Sequence, residues 1–147
     1  MANNVETVSR IFCDTSFFFA CLVQKDINHD RAREMLKRHA QVDLVTTWEV
    51  VSETVTLLRY RGDYTLAVTF LDKIKPHLDI ITCDSTVREE AERVFKKFAK
   101  DKRLSFCDCI SFVVLKLICL ECAVFSFDRD FKQFIIVTGK QIGRAHV

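Results

Sequence analysis

The sequence predicts an α/β fold: a three-layer α/β/α sandwich around a mainly parallel central sheet. Three observations lead there. Short apolar runs suited to strands alternate with longer segments of helical period. Strands joined by helices of this length imply parallel pairing through right-handed crossovers, with helices on both faces of the sheet. One helical segment, Ser105 to Glu121, is apolar on almost every side, and such a helix belongs buried against a sheet or another helix.

Taken in order, Arg10-Ile-Phe-Cys reads as a strand ending at Asp14. A helix follows over Ser16–Gln24, with Asp14, Thr15 or Ser16 able to cap it. His29–Ala40 is a charged amphipathic helix, and Val42-Asp-Leu-Val-Thr is the second strand. Thr46-Thr-Trp-Glu49 has capping-box spacing and opens a helix reaching about Tyr60. Gly62 ends it, Asp63 caps the next helix, and Pro76 terminates that one. Leu78–Thr82 is the third strand. Asp84 then caps a long helix running through Lys96, Lys97 and Lys100. After the apolar helix, Ala123–Phe127 is a strand ending at Asp128, and Phe134–Val137 is a last short strand.

The length of 147 residues suits one domain, expected over residues 1–140. The tail 141–147 has little core character and is expected to be disordered or extraneous to the domain. Apolar residues at 49% and charged residues at 29% are ordinary for a globular protein. Thirteen Phe against two Tyr and one Trp point inward, because Phe has no polar handle for a recognition surface. A formal charge of +2 neither announces nor forbids a nucleic-acid partner. The start lacks a basic stretch followed by an apolar run, so no secretory signal is expected. The apolar stretch Ile110–Leu120 is too short to span a bilayer. A soluble, cytoplasmic protein with no membrane partner is the expectation. An odd count of seven cysteines then argues for reduced thiols. Cys119 and Cys122 form a C-x-x-C without a second pair or a suitably spaced His, so buried thiols acting as apolar fillers are expected rather than zinc.

Four acids draw attention. Asp14 and Asp128 stand just after strand-like runs, at the rim where open α/β sheets bind ligands. Asp108 lies in the first turn of the apolar helix, and Glu53 lies at the border of the apolar face of the third helix. Each also has a structural alternative: a cap at Asp14, a capping box Ser105-x-x-Asp108, a turn at Asp128, a solvated side chain at Glu53. Together, acids facing one cleft would repel one another unless a cation neutralised them. An all-oxygen set suits Mg²⁺ or Mn²⁺, which activate water and offset charge on a phosphoryl group.

Four segments then carry a resemblance. Ile11-Phe-Cys-Asp14-Thr15-Ser16 resembles the opening D-T-S strand of PIN-domain ribonucleases. Val50-Val-Ser-Glu53 resembles the family's second-acid helix, and Leu104-Ser-Phe-Cys-Asp108 its L-S-x-x-D segment. Phe125-Ser126-Phe-Asp128-Arg-Asp130-Phe131 resembles its closing T-x-D-x-D-F, with Ser126 where the family usually has Thr. The segments occur in family order over roughly Ile11 to Val137, and within the family the chain is most similar to VapC-type toxins of toxin–antitoxin pairs.

The resemblance implies Mg²⁺- or Mn²⁺-dependent endonucleolytic cleavage of RNA, inhibition by a cognate antitoxin, and a homodimer. It implies Asp14 and Asp108 as the surest metal ligands, with Glu53 and Asp128 completing the quartet directly or through water. Thr15 or Ser16 would orient Asp14, Ser126 would hold Asp128 or a water, and Asp130 is a weaker candidate. Glu49, one turn before Glu53, is the competing choice for the second acid, and Glu53 is preferred for its place nearer the apolar face. Arg59, Arg61, Arg129 and Lys132 are candidates to track RNA phosphates, ahead of the lysines at 96, 97 and 100. The surplus of rings at Phe17, Phe18 and Phe19 is expected either to serve an antitoxin or dimer contact or to be core.

The alternatives are a stand-alone PIN-domain RNA-processing nuclease and a PIN-like binding module with weak catalysis. A haloacid-dehalogenase-type site needs a D-x-D after its first strand, where this chain has Asp14-Thr-Ser. A receiver domain needs a neighbouring acidic pair and a later Lys, and neither arrangement is found.

Overall fold

The computed structural model describes residues 9–119 and 121–133. Four strands, β1 (Arg10–Cys13), β2 (Asp43–Thr47), β3 (Leu78–Ile81) and β4 (Ala123–Phe125), form one sheet in the order β3-β2-β1-β4. All three pairings are parallel, with Phe12 opposite Val45 on one side and Val124 on the other. Six α-helices connect them: α1 (Thr15–Leu22), α2 (His29–Arg38), α3 (Trp48–Arg61), α4 (Tyr64–Thr69), α5 (Ser85–Phe98) and α6 (Phe106–Leu117).

The topology fixes the layers. From β1 to β2 to β3 the chain steps one way across the sheet, and right-handed crossovers place α1 to α4 on one face. From β3 it returns to the far side of β1, so the same handedness places α5 and α6 on the opposite face. Most helix contacts stay within a layer, α1 on α2 and α3, α3 on α4, and α5 on α6, and α3 also meets α6. Covered on both sides, β1 and β4 are apolar and buried along nearly their whole length, as parallel strands require.

The Phe-rich composition resolves into core. Phe12, Phe17, Phe18, Phe70, Phe112, Phe125 and Phe131 are all fully buried. At about 2–3 kcal/mol for a fully buried ring, they are a large share of the driving force. Phe17 packs on Phe125 with ring centroids 4.9 Å apart, and Phe18 meets Phe70 edge-on at 5.2 Å. Even Phe19 is only 9% exposed, so the three consecutive rings are not surplus surface for a partner or a dimer. An eight-residue helix wedged between the sheet and two neighbouring helices buries more than one face.

Several element boundaries move. Thr47, not Thr46, caps α3 by accepting from the Val50 N–H at 3.1 Å. Thr46 is the penultimate residue of β2, and its hydroxyl donates to the Cys13 carbonyl at 2.9 Å. Pro76 does not stop a helix by itself: α4 first widens into a π-turn at Phe70–Ile74, and Pro76 sits in the 3₁₀ turn Lys75–His77 that follows. The long helix α5 ends at Phe98, before Lys100. Strand β4 stops at Phe125, three residues short of Asp128, because the Phe127 and Asp128 N–H groups turn to the Ser16 and Ser126 hydroxyls at the rim. The expected strand at Phe134–Val137 and the tail lie outside the described residues. Among the described residues, no helix is long and apolar enough to cross a membrane.

Candidate active site

The site begins where β1 and β4 end side by side. The chain leaves β1 toward β2 on one side, while β4 enters on the other. This is a switch in strand order, where an open α/β sheet leaves a crevice beyond its carboxyl ends. Asp14 follows β1 directly, and its N–H donates to the Phe125 carbonyl at 3.1 Å, which continues the ladder one residue past the strand.

Asp14 occupies the N-cap position of α1, yet its side chain makes no capping bond. Its carboxylate is 3% exposed and turns instead toward two hydroxyls. Ser16 and Ser126 both donate to its Oδ2, each at 3.0 Å. The two hydroxyls lie 3.2 Å apart and also accept backbone N–H groups, Phe127 on Ser16 at 2.9 Å and Asp128 on Ser126 at 3.1 Å. This lattice ties α1 to the segment after β4. Of the two residues expected to orient Asp14, Ser16 does so through its side chain. The Thr15 hydroxyl is buried with no hydrogen-bond partner among the described residues, and Thr15 reaches Asp14 only through its backbone N–H.

Asp108 enters from α6. Ser105 and Asp108 form a complete capping box, in which Ser105 N–H donates to Asp108 Oδ2 and Asp108 N–H donates to Ser105 Oγ, both at 3.0 Å. The cap and the site are therefore one structure, since the bond that caps α6 also fixes the Asp108 side chain. Asp128 is half-buried and opens the 3₁₀ turn Arg129–Gln133, its Oδ1 accepting the Asp130 N–H at 2.8 Å. What Asp130 contributes to this lattice is its backbone N–H rather than its carboxylate.

Electrostatics links these groups. Burial raises the Asp14 pKa from 3.8 to about 6, the Ser126 and Ser16 hydrogen bonds oppose the rise, and the Asp128 charge adds to it. Asp108 rises from 3.8 to about 7, again through burial first, opposed by Ser105 and reinforced by the charges of Asp14 and Asp128. Cys107, half-buried beside Asp108, reports the fourth acid. Burial pushes its thiol up, and Glu53, Asp14 and Asp108 push it further, with a hydrogen bond between the thiol and Glu53. Glu53 on α3 thus faces the same crevice. Glu49, one turn earlier, points elsewhere and accepts from the Cys83 thiol at 3.6 Å.

Among the described residues, no three His, Cys, Asp or Glu side chains are arranged to enclose a metal ion. The donor set is nonetheless hard oxygen, with two buried carboxylates on separate elements whose mutual repulsion a dication relieves. The bonds from Ser16 and Ser126 to Asp14, and from Ser105 to Asp108, all fall on Oδ2. Such a pair fits Mg²⁺ or Mn²⁺ held by one or two carboxylates and completed by water, rather than a cage made wholly of protein.

The expected cations are more scattered. Arg59, Arg61 and Arg129 are exposed, and the Arg61 guanidinium lies over the Phe19 ring at 5.5 Å. Lys132 lies in the turn after Asp128. Two further residues lie beside the acid-bearing segments. Arg31 on α2 places its guanidinium 5.9 Å from the Phe127 ring centroid, beside the Asp128 segment, and only tertiary packing brings it there. Cys107 had a signal, being the residue before Asp108.

Among solved structures, the chain is similar to VapC20 of Mycobacterium tuberculosis, a sarcin–ricin loop cleaving toxin. The TM-score is 0.72 at 26% identity, covering 83% of this chain and 92% of that one. FitAcB from Neisseria gonorrhoeae is similar in fold alone, with a TM-score of 0.63 at 17% identity over 84% of this chain and 92% of that one. No curated protein matches the sequence. The PIN domain model matches residues 11–135, a span that holds all four acids of the crevice, and the chain belongs to the PIN domain family.

Proposed function

We propose that the chain is a Mg²⁺- or Mn²⁺-dependent endoribonuclease, the toxin of a VapBC-type toxin–antitoxin pair acting in the cytoplasm. One observation supports the reading above all. Asp14 and Asp108, buried on different elements, share the switch-point crevice with the charges of Asp128 and Glu53. So many carboxylates in one crevice are costly without a cation.

Asp14 and Asp108 would hold the ion, with Glu53 and Asp128 near it. The ion supplies water activation and offsets charge on the scissile phosphate. The protein's own groups do the rest. Ser16 and Ser126 hold Asp14 by one oxygen, the capping box holds Asp108, and Ser126 fixes the backbone that leads to Asp128. Arg31 and Arg129 are the cations beside that segment, suited to RNA phosphates.

RNA as substrate rests on the likeness to VapC20, whose length this chain covers almost fully, and an antitoxin as partner rests on the sequence resemblance to toxins of toxin–antitoxin pairs. A homodimer would use exposed apolar side chains on α3 and α4, where Trp48, Tyr60 and Tyr64 are 52%, 81% and 68% exposed. The test is cleavage of a structured RNA and a DNA of matched sequence by purified protein with Mn²⁺, alongside Asp14→Asn and Asp108→Asn. Metal-dependent cutting of RNA that both variants lose supports the reading, and equal cutting by the variants overturns the site. Cleavage without growth arrest on expression would point to a processing enzyme instead of a toxin.

A further inference from the structure

The opposite end of the sheet holds a second chemical cluster. Helix α6 ends at Leu117 and β4 begins at Ala123, and the turn between them carries Cys119 and Cys122. Backbone bonds hold both cysteines: Cys119 N–H donates to the Val114 carbonyl at 3.0 Å, and Cys122 N–H to the Cys119 carbonyl at 3.1 Å. The two thiols interact with each other, and both are buried, at 1% and 3% exposure. Arg10, at the start of β1, is ion-paired to Glu121, the residue before Cys122. Its guanidinium reaches Asp79 at 2.9 Å and Glu121 at 3.6 Å, and its charge acts on both sulfurs.

These thiols are unlike the others. Burial raises the pKa of Cys13, Cys21, Cys83, Cys107 and Cys109, which keeps them protonated and inert. Cys119 alone is lowered, first by its interaction with Cys122 and then by Arg10, while Cys122 is pushed up. The arrangement is that of an attacking sulfur with a resolving thiol in contact.

We propose that Cys119 and Cys122 are an oxidation-sensitive dithiol that closes to an intramolecular disulfide under hydrogen peroxide. The Cys119 thiolate attacks one peroxide oxygen, the O–O bond breaks, and hydroxide leaves, giving a sulfenic acid on Cys119. The Cys122 sulfur then attacks the Cys119 sulfur, the S–O bond breaks, and the departing hydroxide takes the Cys122 proton to leave as water. Counting the proton already lost from Cys119, two thiols and one peroxide yield one disulfide and two waters. Glu121, beside Cys122, is exposed, so the segment that carries Cys122 reaches the surface there. The bridge would pin the end of α6 to the start of β4, the two elements whose other ends lead to Asp108 and Ser126.

The inference does not depend on the nuclease reading. Its test treats the full-length chain with hydrogen peroxide, blocks remaining thiols with N-ethylmaleimide in denaturant, and maps the peptides by mass spectrometry. The expected product is a Cys119–Cys122 bridge within one chain, two hydrogens lighter than the dithiol, with the other five cysteines alkylated. Cys122→Ser should lose the bridge and leave a sulfenic acid on Cys119 that dimedone traps. Arg10→Gln should slow bridging about tenfold, in step with a smaller thiolate fraction. Oxidation that starts at half-buried Cys107, a bridge between chains, or no bridge at all overturns the proposal. Unchanged bridging in Arg10→Gln overturns the part given to Arg10.

Discussion

Asp14 accepts two hydroxyl hydrogen bonds and still holds its proton more tightly than a free carboxyl, because burial outweighs both donors. Rising from 3.8 to about 6, it costs the metal-free protein about 3 kcal/mol when forced to ionise at pH 8. Replacing it by Asn keeps an acceptor for Ser16 or Ser126 and removes the charge. Asp14→Asn is therefore expected to be more stable than the parent at pH 8 without metal, by about 2 kcal/mol in urea unfolding, while RNA cleavage drops by about 10³-fold or more. A variant that is both less stable and still active would show that Asp14 serves structure alone. Ser126 gives the complementary case. Its hydroxyl donates to Asp14 and accepts from the Asp128 N–H, so Ser126→Ala leaves two buried groups short of a partner. That substitution should cost about 1–3 kcal/mol and cut activity at least tenfold, whereas Ser126→Thr, which keeps the hydroxyl, should retain most of both.

At the level of elements, α6 is held at its N-terminus by the bonds that aim its acid. Ser105→Ala removes one half of the capping box, and the expected loss is about 1 kcal/mol of stability, measured by thermal or urea unfolding. Because Asp108 then loses a constraint, Mn²⁺ affinity measured by calorimetry should fall as well, whereas Asp63→Ala at the α4 cap should cost similar stability and leave Mn²⁺ binding unchanged. The same double duty explains what the sequence made legible. Apolar alternation located β1 to β4 and all the helices to within a few residues, because burial on both faces writes near-continuous apolar runs. The proximity of Asp14, Asp108 and Asp128 was legible through their motifs, and Glu53 rather than Glu49 is expected beside them for its nearness to the apolar face. Three features were not legible. Thr46 and Thr47 are chemically alike, and only the end of β2 decides which one caps α3. Asp128 reads as a strand end because Phe127 is apolar, but the Ser16 hydroxyl captures the Phe127 N–H and ends the ladder sooner. Arg31 joins the site only once α2 is packed, which no local pattern encodes.

For the whole molecule, the acid cluster couples folding to pH and to metal. Asp14 and Asp108 bind protons more tightly folded than unfolded, with pKa values of about 6 and about 7 against 3.8. Their favourable contribution is thus complete below about pH 4 and is lost as pH rises through 6 and 7, the reverse of a salt-bridged carboxylate. Metal-free protein should be more stable at pH 5 than at pH 8 as far as these two groups decide it. A dication competes with those protons, so Mn²⁺ should bind weakly at pH 5 and firmly at pH 8. At a hundredfold excess over its Kd, a ligand adds about 3 kcal/mol, which for a chain of this size is a rise in Tm of roughly 5–10 °C. Thermal unfolding with Mn²⁺ or EDTA at pH 5, 6, 7 and 8 should therefore give metal-free and metal-loaded curves that separate as pH rises. The Asp14→Asn/Asp108→Asn double variant supplies the control, since both its pH slope and its response to Mn²⁺ should shrink together. If the wild-type Tm ignores Mn²⁺ at pH 8 while RNA cleavage persists, the buried pair does not hold the ion, and the metal claim passes from Asp14 and Asp108 to the more exposed Glu53 and Asp128.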